Sequence, residues 1–376
     1  MRVLILSCST GGGHDSCAAA LNEAFFEKGD YCKTVDSLSF VSENFKKFMS
    51  RGHSLMYRKF PWLFRFGYGF AEEHESFLKK NSPAFNLLSK GSEKLYDFII
   101  KKRFDAVICV HVFSGIVLES AFFGKRKPDI KTAFVATDYT CSPGAWAFDY
   151  DYYFIPDESL ESEFTSHGIP EEKIIPCGIP VKKMFVAKAE KAEAKRICGV
   201  LPGNKHLLIM GGSMGCGGIE SITQKFAENL YDDIEATVVC GNNKKLFKKL
   251  YFKYKNNRNI HIVGYSKDVS LLMESADLYL TKPGGISTTE AMTKALPMVL
   301  INSVSGCEKY NLEYFIKIGG AVAADSEEVF EKCRCLFENE KALSKLSENL
   351  SLKRKPLAAK EICFIIRGEK CRENLK

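Results

Sequence analysis

At 376 residues the chain is too long for one ordinary core and suits two domains of roughly 150 to 200 residues each. Shares of 45% hydrophobic and 26% charged residues exclude a disordered or fibrous protein, and no apolar run approaches the roughly 18 residues that a bilayer span needs. The net charge of +7 is uneven: residues 46–103 hold 13 basic and 5 acidic side chains, while residues 1–180 as a whole hold 21 and 23. The 14 cysteines are scattered without a CxxC pair, which predicts reduced, mostly buried thiols in place of zinc or disulfide frameworks. Met1 runs directly into Arg-Val-Leu-Ile-Leu and a glycine turn, leaving no signal-peptide pattern, so a cytosolic protein is expected.

The first predicted element is the apolar run Val3 to Ser7, which enters Gly11, Gly12 and Gly13 and then a helix from Ser16 to Phe26. Strand, glycine turn and helix open a βαβ unit. His14 stands at that turn, where an imidazole suits proton abstraction near neutral pH. Next comes the basic, aromatic stretch from Phe45 to Phe85, with Trp62, Phe64 and Phe66 among lysines and arginines, a composition that suits the boundary of an anionic membrane. Apolar runs at 106–110, 132–136 and 152–155 read as buried parallel strands. His111 ends the first of these and Asp138 follows the second, with Trp146 in the segment after it. Asp149 and Asp151 have metal-motif spacing but lead into a strand and read as structural.

Gly and Pro cluster near residues 177–180, marking a boundary. A second series of strands follows at 207–210, 236–239, 260–263, 278–280 and 297–301. Gly211, Gly212, Ser213, Met214 and Gly215 lie between a strand and a helix beginning near Gly218, an arrangement that lets backbone amides approach a phosphate. Residues 281–290 repeat the device: Gly284, Gly285 and Ser287 offer donors to a diphosphate, and Glu290 an acceptor for two ribose hydroxyls. After the last strand, Gly306, Cys307, Glu308 and Asn311 place acidic and amide groups where sugar hydroxyls would be gripped. The glycine turns, about 200 residues apart, predict two doubly wound domains facing across a cleft. Lys244 to Arg258 carries 7 basic residues and no acidic one, read as a solvated face.

Gly-Gly-Ser-x-Gly at 211–215, Thr-Lys-Pro-Gly-Gly-Ile-x-x-x-Glu-Ala at 281–291, Pro-x-Val-Leu at 297–300 and Gly-x-Glu-Lys-x-Asn at 306–311 resemble, in order and spacing, the diacylglycerol glycosyltransferases. That family includes bacterial processive diacylglycerol glucosyltransferases and plant monogalactosyldiacylglycerol synthases. The resemblance implies an α/β protein of GT-B fold. Residues 1–180 would form an acceptor and membrane domain, 181–355 a UDP-sugar domain, and 356–376 a helix crossing back to the first. It implies that Gly212, Ser213, Gly215, Gly284, Gly285 and Ser287 hold the diphosphate, Glu290 the ribose, and Cys307, Glu308 and Asn311 the sugar, with Tyr265 near the uracil. His14, beside Gly13, would be the catalytic base and Asp138 its partner or an alternative base, with His111 and Trp146 on the acceptor rim. Cys307 departs from the family, which usually has glutamine there, and a thiol is a poor hydrogen-bond partner.

The implied activity is an inverting transfer of glucose or galactose from a UDP-sugar to diacylglycerol or a related lipid. It needs no metal or other cofactor and takes place at the inner face of the cell membrane by a cytoplasmic, peripheral protein. A UDP-sugar epimerase of the same fold and a non-catalytic UDP-sugar sensor are the alternatives. An NAD-dependent reading through Asp36 lacks the third glycine of the dinucleotide loop. Nucleic-acid binding is not expected, because no recognition motif accompanies the basic clusters.

Overall fold

The computed structural model describes residues 1–8, 12–49, 52, 82–125, 128–147, 149–212, 215, 218–229, 232–301 and 306–369. Expectations for Trp62, Phe64, Phe66 and Ser213 therefore concern positions outside the described residues. The chain divides into two compact units. One comprises residues 1–183 with 305–307 and 355–376, and the other residues 184–304 with 308–354.

The first unit is built on six parallel strands: β1 (Arg2–Ser7), β2 (Tyr31–Asp36), β3 (Ala106–Cys109), β4 (Lys131–Val135), β5 (Tyr152–Phe154) and β6 (Ile174–Ile175), in the order 2-1-3-4-5-6. β1 and β3 are wholly apolar inside, from Val3 to Leu6 and from Ala106 to Cys109, because helices cover both faces of the sheet centre. The chain leaves β1 toward β2 on one side and returns to β3 on the other, pairing Leu6 with Cys109. The carboxyl ends of β1 and β3 thus flank the point where winding reverses, which is where ligands of such sheets bind. The helix after β1 spans Gly12–Glu27, beginning four residues earlier than the expected Ser16. Gly12 and Gly13 are its first turn, so His14 is carried on the helix and not on the turn before it. The amphipathic helix Ala358–Arg367 packs on Gly12–Glu27, burying Ile362 and Ile366, and Arg367 makes a two-pronged contact with Asp30 at 2.5 and 2.6 Å.

The second unit repeats the plan with β7 (Lys205–Met210), β8 (Ile234–Val239), β9 (Ile260–Val263), β10 (Leu278–Thr281), β11 (Met298–Ile301) and β12 (Ala321–Ala324), all parallel, in the order 12-11-10-7-8-9. Its reversal point lies between β7 and β10, whose last residues Met210 and Thr281 are paired. Inside it, His206 is fully buried, with Nε2 at 2.8 Å from the Thr237 hydroxyl and Nδ1 at 3.0 Å from that of Ser275. Burial pulls its pKa down to about 4, so the ring is a neutral structural link. Among the described residues, no helix is long and apolar enough to cross a membrane.

Candidate functional site

Each unit offers a half-site at its reversal point. In the first, His14 rises from the helix that follows β1, and His111 caps the helix Val112–Phe122 that follows β3, with ring centroids 4.5 Å apart and planes at 78°. Their protons are set by backbone partners. Nδ1 of His14 lies 2.9 Å from the Val110 carbonyl, which only accepts, so Nδ1 carries the hydrogen and Nε2 keeps its lone pair. The Thr137 hydroxyl, 3.2 Å from the same nitrogen, is compatible with that tautomer. His111 is the reverse: its Nδ1 accepts the Phe113 N–H at 3.0 Å, so in the neutral ring Nε2 carries the hydrogen. Burial lowers the His14 pKa, opposed first by the negative charge of Asp138 and then by the Val110 contact and Asp15. The ring is thus an unprotonated acceptor at neutral pH, and the carboxylates support the imidazolium once it forms.

The loop after β4 that bears Thr137 and Asp138 is pinned by Glu163, whose Oε1 accepts from the Thr140 hydroxyl at 2.6 Å and the Cys141 amide at 2.7 Å. Trp146 stacks on His167 with centroids 4.1 Å apart and planes 9° from parallel. Asp151 accepts from the Thr132 amide and hydroxyl, and Asp149 pairs with Lys173, so both carboxylates hold the fold together. Asp36 is likewise engaged by its own turn, accepting from the Leu38 amide at 2.9 Å.

In the second unit the half-site is made chiefly of backbone. Gly212 and Gly215 have φ of +68° and +60°, and a Cβ at Gly215 would sit 2.3 Å from the Cys240 carbonyl oxygen, so the turn after β7 needs glycine there. Gly284 differs. Its φ of −81° suits any residue, and a Cβ would meet nothing nearer than the Ser287 hydroxyl at 3.6 Å, so the fold does not require a glycine at this place. A bare backbone there leaves room for something outside the chain. Gly284 caps the helix Gly285–Thr293 without any side-chain cap, and the first-turn amides of Gly285, Ile286 and Ser287 are those an α-helix leaves without internal acceptors. Glu290 lies in the same helix and is 8% exposed.

Lys282, to which no role was assigned from the sequence, stands between the two turns: its Cε lies 3.0 Å from a Cβ placed at Gly212 and 3.9 Å from one at Gly284. Its ammonium pairs with Glu308 at 2.5 Å, and both side chains are largely buried. Residues 307–311 open the helix Cys307–Lys317. Asn311 is fully buried there, and its amide donates to the Pro283 carbonyl at 3.0 Å, so it shapes the Pro283–Gly285 turn from beneath and does not present that amide to solvent. Tyr265 is 64% exposed just beyond β9.

The comparisons with known proteins follow the same division. The family described as monogalactosyldiacylglycerol (MGDG) synthase matches residues 14–181, and that of glycosyl transferases group 1 matches residues 217–352. A processive diacylglycerol beta-glucosyltransferase of Bacillus cytotoxicus is 26% identical over 98% of this chain and 94% of its own. One from Staphylococcus saprophyticus is 29% identical over 73% of this chain and 69% of its own. Over most of its length the chain is similar to the diacylglycerol glycosyltransferases. Among solved structures, MurG of Acinetobacter baumannii superposes with a TM-score of 0.63 at 13% identity, covering 98% of this chain and 99% of its own. The UDP-GlcNAc 2-epimerase from Neisseria meningitidis, bound to UDP-GlcNAc, gives 0.65 at 14%, covering 98% and 100%. These likenesses show a GT-B fold and nothing of the activity.

Proposed function

We propose that the protein is an inverting hexosyltransferase that moves glucose or galactose from a UDP-sugar to the hydroxyl of diacylglycerol or a related membrane lipid. The observation that carries this reading is the Val110 carbonyl on Nδ1 of His14, which leaves Nε2 as a base. The acceptor hydroxyl gives its proton to that nitrogen as its oxygen bonds to the anomeric carbon. The bond from that carbon to the UDP oxygen breaks on the opposite face, inverting the centre. Asp138 steadies the imidazolium that results.

The departing diphosphate carries its charge to the first-turn amides at 285–287 and to Lys282, with Ser213 and Ser287 as hydroxyl donors, Glu290 on the ribose, and Tyr265 beside the uracil. Cys307, Glu308 and Asn311 address the hexose, and the amide of Asn311 also holds the turn beneath. With charge stabilisation supplied by amides and an ammonium, turnover would need no metal or other cofactor, and activity that EDTA abolishes and Mg²⁺ restores would contradict this. We place the protein on the inner face of the cell membrane, held by the basic, aromatic stretch that includes Trp62, Phe64 and Phe66. The test is incubation with radiolabelled UDP-glucose or UDP-galactose and diacylglycerol vesicles. Labelled glycolipid is the expected product. A free sugar isomer would make the protein an epimerase, and binding without turnover a sensor.

A further inference from the structure

The helix Lys244–Tyr254 of the second unit has a solvent face that its fold does not explain. Its inner face is ordinary: Leu250 and Tyr254 are buried and Leu246 and Phe247 pack against the core of the unit. The outer face carries Lys245, Lys248 and Lys249, continued by Lys255 just past the end, all exposed. Phe252 lies among them. It is three residues from Lys249 and from Lys255, four from Lys248 and seven from Lys245, the spacings that put side chains on one helix face. It is 69% exposed, opposite the buried stripe, with the Lys255 ammonium 6.0 Å from its ring centre, and Tyr251 beside it is 46% exposed. Among the described residues, no core or cap uses Phe252, and of these lysines only Lys249 is drawn into a salt bridge, to Glu220 at 2.5 Å. Residues 244–258 contain 7 basic and no acidic side chains.

We infer that this face is a second lipid-surface contact, placed on the donor-binding unit, in which Phe252 enters the acyl boundary of an anionic bilayer while the surrounding lysines meet the headgroups. An aromatic ring ringed by ammonium groups is the composition of an interfacial helix: the ring adds apolar burial and each lysine adds attraction to anionic lipid. Phe252 and the adjacent Tyr251 supply the apolar part of this face and the lysines its cationic part. The choice of a bilayer as partner rests on the lipid-acceptor reading. The surface itself concerns residues outside both half-sites, so the two stand or fall separately.

The test is flotation of the full-length protein with vesicles of phosphatidylcholine containing phosphatidylglycerol, alongside calorimetry with UDP. The measurement is made in the natural sequence and in a background where Trp62, Phe64 and Phe66 are serine, which removes the expected contact of the first unit. Phe252→Ser should weaken partitioning about fivefold and Lys245→Glu with Lys248→Glu on the order of tenfold or more, while Phe252→Trp preserves it. UDP affinity and Tm should be unchanged throughout. Equal flotation of all variants would overturn the proposal. So would a loss caused by charge reversal but not by Phe252→Ser, which marks a plain polyanion-binding face, or a loss of duplex DNA binding with flotation intact. If no glycolipid is made yet Phe252→Ser abolishes flotation, the surface stands and the transferase reading falls. If glycolipid is made and the variants float normally, the reverse holds.

Discussion

The two reversal points are built on the same topology yet filled with opposite materials. At the first, side chains act: two imidazoles 4.5 Å apart, with complementary protons imposed by a carbonyl and an amide. At the second, the described surface is largely backbone, made available by glycines, and its lysine is already paired with Glu308. In the proposed reaction the first handles a proton and the second receives an anion, because a lone pair requires a titratable ring held in one tautomer, whereas a diphosphate requires several donors at close range. A parallel doubly wound sheet serves either purpose, and the residues that follow its central strands decide which.

The comparison breaks most sharply at His14. His14→Ala is expected to lower kcat by about a thousandfold, within the range for a lost general base, and to leave UDP affinity by calorimetry unchanged. In the natural enzyme the acid limb of the kcat/KM profile should lie below pH 6.5, because burial lowers the His14 pKa and activity is lost only when Nε2 is protonated.

The second unit has a histidine of the other kind. His206, with its folded pKa of about 4 against 6.5 when unfolded, takes up a proton preferentially on unfolding. Its contribution is complete above about pH 6.5 and is lost as pH falls toward 4, amounting to about 3 kcal/mol. Urea unfolding of the natural chain and of His206→Asn across that range would show the slope in the first and a flatter one in the second.

Smaller effects distinguish charge from backbone. Lys282→Met should weaken UDP binding about tenfold to thirtyfold, the size of a charge-assisted hydrogen bond lost. Gly284→Ala should weaken it by about threefold to tenfold while leaving Tm the same or slightly higher, since the backbone there suits alanine. Gly215→Ala, at φ +60° with a carbonyl oxygen 2.3 Å from the new Cβ, should lower Tm outright. Equal thermal behaviour of the two alanine variants would remove the argument that Gly284 is bare for a ligand.

Most of this was legible from apolar runs and punctuation. The buried strands announce themselves as unbroken runs such as Val3 to Leu6 and Leu207 to Met210, and both glycine turns are visible beside them. Two edge strands were not: Ile174–Ile175 is too short to show a period, and Ala321–Ala324 has Val322 as its one branched residue among alanines, which favour strands weakly. The helix start at Gly12 was hidden because glycine reads as a turn, although Asp15 in the first turn favours a helix there. The sequence gives Lys282 no role, since its position between the two turns depends on β7 lying next to β10, which no local pattern states. The sequence places Asn311 at the sugar and gives no sign of its amide contact with the Pro283 carbonyl. Its burial under Pro283 follows from the helix that begins at Cys307, which the glycine before it concealed.

The most direct measurement follows transfer of labelled hexose from UDP-glucose or UDP-galactose to diacylglycerol vesicles by the natural chain and by His14→Ala, with UDP binding of both measured by calorimetry. Glycolipid from the natural chain, almost none from His14→Ala, and equal UDP affinities are the predicted outcome. Undiminished transfer by His14→Ala, or no UDP association by the natural chain, would contradict the division of labour between the two units.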